Sequence, residues 1–187
     1  MRVIAGRCGG LRLKAPKGRR VRPTADRAKE TLFNVIGPEL PGARVLDLFA
    51  GSGALGIEAL SRGAAGAAFV ERRRDVAEVL RENLRRCGLE EECRVVVVPW
   101  ERALRTLAGD GFDVVLADPP WECGAGPPAL AAVGAAGLVR ADARAVLEHP
   151  SREDPGEPTG WRRERVLAAG STSFSLYRCR AESGRAW

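Results

Sequence analysis

The segment Val45-Leu46-Asp47-Leu48-Phe49-Ala50-Gly51-Ser52-Gly53-Ala54-Leu55-Gly56 sets a carboxylate just ahead of a turn of small residues. A turn without bulky side chains lets a ligand approach the backbone, and glycine adopts the conformations such a turn needs. Gly51, Gly53 and Gly56 match the spacing GxGxxG, and Glu71 follows at the end of the next apolar run, where a carboxylate can accept both hydroxyls of a ribose. Spacing alone suits a nicotinamide dinucleotide, whose pyrophosphate rests on the N-terminus of the following helix. Asp47 argues for a different ligand. A negative charge there repels phosphate and attracts an amino acid bearing an ammonium or sulfonium group. The bland readings are a loop-fixing carboxylate for Asp47, an exposed strand-end acid for Glu71 and tight packing for the glycines. A second cluster, Asp118-Pro119-Pro120-Trp121, joins a carboxylate to a backbone stiffened by two prolines and to a flat aromatic face. Read blandly, it is a rigid turn with an aromatic plug.

Both clusters need a scaffold that brings strand ends together. Short apolar runs at Val45–Phe49, Ala67–Val70, Arg94–Val98 and Phe112–Ala117 read as parallel strands. Between them Ala54–Arg62, Asp75–Cys87 and Glu101–Leu107 are long enough to be crossover helices. This alternation predicts a right-handed, doubly wound α/β sheet, mostly parallel. Ala143–His149 supplies a fifth strand, and Arg163–Ala168 with Ser173–Arg180 two more after the Pro/Gly-rich loop Pro150–Gly160, which makes seven. Upstream, Arg2–Gly6 and Leu11–Ala15 flank the turn Cys8-Gly9-Gly10 and predict a β-hairpin with a basic face. Thr24 caps a helix with the apolar stripe Ala28, Leu32, Val35 and Ile36, ended by Gly37-Pro38. The expected organisation is a basic hairpin and loop over 1–23, a catalytic domain over 24–180 and a loose tail over 181–187.

Charge is uneven along the chain. Its 187 residues carry a net +6, yet the first thirty hold ten Lys/Arg against two Asp/Glu, and the rest is slightly acidic. A localised basic segment suggests a polyanionic partner, with a solvated charged tail as the plain alternative. No apolar stretch is long enough to span a bilayer, and the N-terminus lacks the apolar core of a signal peptide. Five cysteines without a CxxC and a single His149 fit reduced thiols in a cytoplasmic chain and give no support for a metal. A monomer is expected.

Asp-x-Phe-x-Gly-x-Gly resembles the cofactor motif of class I S-adenosylmethionine (SAM) methyltransferases, whose ligand carries a cationic methionine, a ribose and an adenine but no phosphate. In that family an acid after the third strand usually meets the adenine amino group. Here the place reads Val98-Pro99-Trp100-Glu101, so the adenine contact falls to backbone groups or to stacking on Trp100, with core packing of Trp100 equally open. Asp118-Pro119-Pro120-Trp121 resembles the (Asp/Asn)-Pro-Pro-aromatic motif of methyltransferases that modify an exocyclic amino group or an amide nitrogen. Such a nitrogen is a poor nucleophile, because its lone pair is delocalised. Asp118 and the Pro119 carbonyl can accept its N–H bonds, and Trp121 can stack on an extruded base.

Arg22-Pro23-Thr24-Ala25-Asp26-Arg27-Ala28-Lys29-Glu30-Thr31-Leu32-Phe33-Asn34 and the opening Arg2-Val3-Ile4-Ala5-Gly6 with the following Gly10-Leu11 complete a series with these motifs. Together they resemble the RsmD family of bacterial 16S rRNA guanine-N2 methyltransferases, over nearly the whole chain. The resemblance implies transfer of a methyl group from SAM to the guanine 2-amino group, with S-adenosyl-L-homocysteine as product and 16S rRNA or the assembling small subunit as partner. It places Thr24 near the SAM carboxylate, Asp47, Gly51, Ser52 and Gly53 beside the methionine moiety and Glu71 at the ribose. Asp118, Pro119 and Trp121 then form the target-base pocket. Arg2, Arg7, Arg12, Lys14, Lys17, Arg19, Arg20 and Arg22 are the candidates for phosphate contacts. Family members commonly carry Phe or Tyr where Trp121 stands. Competing readings are an adenine-N6 methyltransferase, a protein-glutamine methyltransferase, a nicotinamide-dependent oxidoreductase and a non-catalytic RNA-binding module.

Overall fold

The computed structural model describes residues 1–16 and 24–180. After an N-terminal arm the chain forms α1 (Thr24–Ile36), β1 (Arg44–Asp47), α2 (Ala54–Ser61), β2 (Gly66–Val70), α3 (Arg74–Cys87) and β3 (Cys93–Val96). There follow α4 (Trp100–Thr106), β4 (Phe112–Ala117), α5 (Gly126–Ala135), β5 (Val139–Pro150), β6 (Trp161–Ala169) and β7 (Thr172–Cys179). The strands make one sheet in the order β3-β2-β1-β4-β5-β7-β6. The five strands from β3 to β5 run parallel, whereas β7 is antiparallel to both of its neighbours. Among the described residues no helix is long and apolar enough to cross a membrane.

Alternation along each strand divides the core. Val45, Phe69, Val114, Leu116 and Val146 face α1, α2 and the Leu80/Leu84 side of α3. Leu46, Val70, Val115, Ala117 and Leu147 face α4 and α5. Helices on both faces explain why the central strands are apolar at nearly every position. In α3 the buried residues Val76, Leu80 and Leu84 form one stripe, Asp75 sits in the first turn, and Gly88 ends the helix at φ +64°.

Within the sheet and its helices, β5 and α5 depart most from the sequence expectation. β5 starts at Val139 rather than Ala143, because its first residue pairs with Phe112 before a register shift resumes at Val114 with Arg144. Asp142, at φ +58°, lies within that irregularity. α5 occupies a stretch whose Gly and Pro content masked a helix. Its prolines fall in the first turn, where their missing N–H costs nothing, and its Leu130 carbonyl accepts a 2.7 Å bond from the buried Trp161 indole.

The expected hairpin is reduced to a single antiparallel bridge between Arg2 and Arg12. Three backbone bonds support it: Val3 N–H to the Leu11 carbonyl (2.9 Å), Gly10 N–H to Val3 (2.9 Å) and Leu13 N–H to Met1 (3.1 Å). The ladder stops there because the next donors are used elsewhere. Ile4 and Ala5 give their N–H groups to the Glu58 carboxylate, and Arg7 gives its own to the Ser61 carbonyl. Gly6, at φ +81°, has no room for a side chain: a Cβ would lie 1.9 Å from that carbonyl oxygen. Val3, Cys8 and Leu13 are buried with α1 and α2.

Candidate active site

The carboxyl ends of β1, β2 and β4 meet at one edge of the sheet, the edge where open α/β sheets bind ligands. Asp47 ends β1 and is 1% exposed. Its register partners are Phe69 in β2 and Leu116 in β4. Glu71 and Asp118 each stand two positions beyond those partners, so period-2 alternation puts them on either side of Asp47. Burial is the largest influence on Asp47 and pushes its carboxyl up to about 7; a bond from Gly56 N–H opposes this, and the charges of Asp118 and Glu71 add to it. Three acids thus share a site in which one of them is held only partly ionised at neutral pH.

The turn after β1 is shaped by its glycines. Gly51 and Gly53 adopt φ +54° and +86°, and Gly53 N–H bonds back to the Ala50 carbonyl at 2.7 Å. Gly56 gives its N–H to Asp47 Oδ2 at 3.0 Å. A Cβ on Gly56 would lie 2.3 Å from the Phe69 ring and 3.1 Å from that same oxygen, so glycine here brings helix, strand and carboxylate together. Glu71 is fixed by two backbone donors, Gly51 N–H at 3.0 Å and Arg73 N–H at 2.8 Å. The first of these ties the expected ribose acid directly to the turn. Ser52 is buried, and its carbonyl accepts a 2.9 Å bond from Asn83.

Asp118 is half-buried where the chain leaves β4, Pro119 is buried and Pro120 exposed. Trp121 begins a short helical turn to Cys123, half-buried, and the Pro120 carbonyl accepts from Cys123 N–H at 3.2 Å. Trp100 opens α4 and packs its partly buried ring against the core on the α4/α5 face. Thr24 is the first residue of α1.

The expected phosphate contacts divide into groups. Lys17, Arg19, Arg20 and Arg22 lie outside the described residues. Arg2 pairs with Asp26, Arg7 with Glu92 and Lys14 with Glu82. Arg12 is exposed and has no acid partner among the described residues. Arg72, Arg73 and Arg74 were not singled out from the sequence, yet they are exposed beside Glu71, and Arg73 pairs with Asp75. Sequence reading also missed Glu58 and Asn83, both fully buried. Each carried a signal, as a polar residue on an apolar helix face.

The opposite edge of the sheet offers a different kind of space. A cavity of about 460 Å³ is lined there by Arg44, Gly66, Cys93, Arg94, Asp110 and Phe112. Asp110 is already paired with Arg44 and Arg94.

Strand order, an antiparallel last pair and the crossovers around a glycine-rich turn define a class, the α/β fold of class I methyltransferases. The profile of the family described as "Conserved hypothetical protein 95" matches residues 1–178. Ribosomal RNA small subunit methyltransferase D of Escherichia coli K12 is 36% identical over 183 residues, 97% of this chain and 91% of that protein. Its Haemophilus influenzae namesake is 32% identical, covering 95% and 93%. A solved Escherichia coli structure, yhhF, superposes with TM-score 0.83 at 37% identity, over 97% of this chain and 99% of that one. An RNA methyltransferase of Salinibacter ruber, solved with S-adenosyl-L-homocysteine, shares the fold at TM-score 0.63 and 16% identity, over 90% and 97%. The chain belongs to the RsmD family.

Proposed function

We propose that this protein methylates the exocyclic 2-amino group of a guanine in small-subunit ribosomal RNA, with SAM as donor. One observation carries the choice of ligand: Asp47 is buried between two further acids, with Gly56 N–H as its donor among the described residues. A carboxylate placed in this way fits a ligand that brings its own positive charge and no phosphate. Bound SAM supplies a methyl group activated by its sulfonium. Asp47 meets the cationic amino-acid part, the Gly51–Gly53 backbone lies along it, and Glu71, held by Gly51 and Arg73, takes the ribose hydroxyls. Trp100 offers a partly exposed edge to the adenine while its body stays in the core. Thr24 serves the SAM carboxylate.

Asp118 and the Pro119 carbonyl accept the N–H bonds of the target amino group, turning its lone pair toward the methyl carbon. Trp121 holds the base by stacking, and Asp118 or water takes the displaced proton. Orientation supplies most of the rate, so no covalent enzyme intermediate is needed. The names of the relatives, small-subunit rRNA methyltransferases, support the choice of RNA. The exposed Arg12, Arg72 and Arg74 are candidates for contacts with the RNA backbone, as are the other cations singled out in the N-terminal segment. The protein works as a cytoplasmic monomer.

The test is labelled SAM with unmodified small-subunit rRNA, free and in particles, followed by nucleoside analysis. N2-methylguanosine is expected. Asp118→Ala should lower its formation by about 10²–10⁴-fold while S-adenosyl-L-homocysteine still binds. N6-methyladenosine would keep the chemistry and overturn the substrate.

A further inference from the structure

The N-terminal arm and the glycine-rich turn are joined through one buried side chain. Asn83, on α3, is 0% exposed. Its Nδ2 donates to the Ser52 carbonyl at 2.9 Å and to the Lys14 carbonyl at 3.0 Å, and its Oδ1 accepts from Lys14 N–H at 2.8 Å. Both amide hydrogens are therefore spent, one on each segment. At the far side of the Ser52–Gly53 peptide, Gly53 N–H is held by the Ala50 carbonyl. Ser52 lies between two glycines with positive φ, Gly51 and Gly53, where a glycine backbone has alternatives, and Asn83 fixes the Ser52 carbonyl. Met1 reaches the same residue, its Sδ 4.0 Å from Ser52 Oγ, and Met1 is bonded to Leu13 across the arm. Both ends of the short arm thus converge on Ser52.

We infer that Asn83 is a positioning residue that makes the arm and the cofactor turn one mechanical unit, so that RNA on the arm and cofactor in the turn strengthen each other's binding. The inference rests on the function proposed above. Its physical basis is ordering: a ligand that immobilises the arm also immobilises Ser52 through Asn83, and the second ligand then loses less conformational freedom. Lost hydrogen bonds alone would lower stability; they would not account for a link between two ligands.

The experiment measures S-adenosyl-L-homocysteine affinity by calorimetry with and without a small-subunit rRNA transcript. It uses wild type, Asn83→Leu, Asn83→Ser and Lys14→Ala, each checked by thermal unfolding. Wild type should bind S-adenosyl-L-homocysteine about 5–20-fold more tightly when RNA is present. Asn83→Leu should bring that factor close to one. Asn83→Ser, whose smaller side chain leaves space for water to serve the same backbone groups, guards against a failure to fold and should also lose the factor. Lys14→Ala keeps both backbone bonds to Asn83, so RNA affinity should fall while the factor survives. A factor retained in the folded Asn83 variants, or a factor of one in wild type, would overturn the inference and leave the proposed reaction standing. Absence of S-adenosyl-L-homocysteine binding by wild type would overturn the functional reading itself, and the inference with it.

Discussion

Two buried carboxylates, Asp47 at the end of β1 and Glu58 on α2, stand on either side of the glycine-rich turn, and the chain treats them in opposite ways. Glu58, fully buried on α2, accepts from Ile4 N–H, Ala5 N–H, Lys29 Nζ and Arg62 Nε, at 2.7, 3.1, 3.2 and 2.8 Å. Its neighbour Lys29 is also buried, which lowers the pKa of its ammonium despite the acid beside it, and its Nζ donates to the Arg2 carbonyl as well. Asp47 accepts from Gly56 N–H and faces two other acids. The first site is closed, its charge answered entirely by the protein. The second has charge left over. Burial alone therefore does not separate a structural acid from a functional one; the supply of donors does.

The largest expected effect comes from opening the closed site. Glu58→Gln removes the charge that answers Lys29 and Arg62 and loosens the arm, and it should cost about 3–5 kcal/mol in urea unfolding. A loss under about 1 kcal/mol would mean that the network stabilises far less than its geometry implies.

Neutralising the other acid should have the reverse sign. The folded carboxyl of Asp47 titrates near 7 and its unfolded value is 3.8, so the native state holds the proton more tightly. Its contribution to stability is complete below about pH 4 and is lost as pH rises toward 7, by roughly 1.4 kcal/mol per unit within that window. Asp47→Asn should therefore be more stable than wild type at pH 8 when no ligand is bound, and the difference should shrink toward pH 5. Ligand binding should show the mirror image. Affinity for S-adenosyl-L-homocysteine, whose amino group is cationic, should rise with pH up to about 7 in wild type and be weak and flat in Asp47→Asn. Equal pH profiles for the two proteins in calorimetry would mean that Asp47 supplies no binding charge.

The surface holds a milder version of the same difference. Arg7 is already met by Glu92, while Arg12 has no acid partner among the described residues. A phosphate must displace an acid to reach the first but not the second, so Arg12→Ala should weaken RNA binding more than Arg7→Ala, by a few-fold at moderate salt. The slope of affinity against salt should fall more for Arg12→Ala as well.

Much of this was legible in the residues. The apolar runs located the strands, because a strand covered on both faces must be apolar throughout, and the glycine spacing with Asp47 located the turn. Asp118-Pro119-Pro120-Trp121 stood out for its composition alone. The hairpin did not survive as a ladder, since alternating apolar and basic residues cannot reveal that the donors of Ile4 and Ala5 are claimed by an acid more than fifty positions away. α5 was obscured because glycine and proline dilute a helical pattern even where the first turn tolerates them.

What the sequence determined by itself is local: periodicity, turn chemistry, and the kinds of side chain at strand ends. Tertiary structure decided how those groups meet. Register set Glu71 and Asp118 to either side of Asp47, and burial between them raised its proton affinity. Packing of α3 brought Asn83 between Lys14 and Ser52, which are distant from it along the chain. Donor supply, register and burial depend on neighbours remote in sequence, which is why two acids of the same charge became a structural anchor in one place and a binding charge in the other.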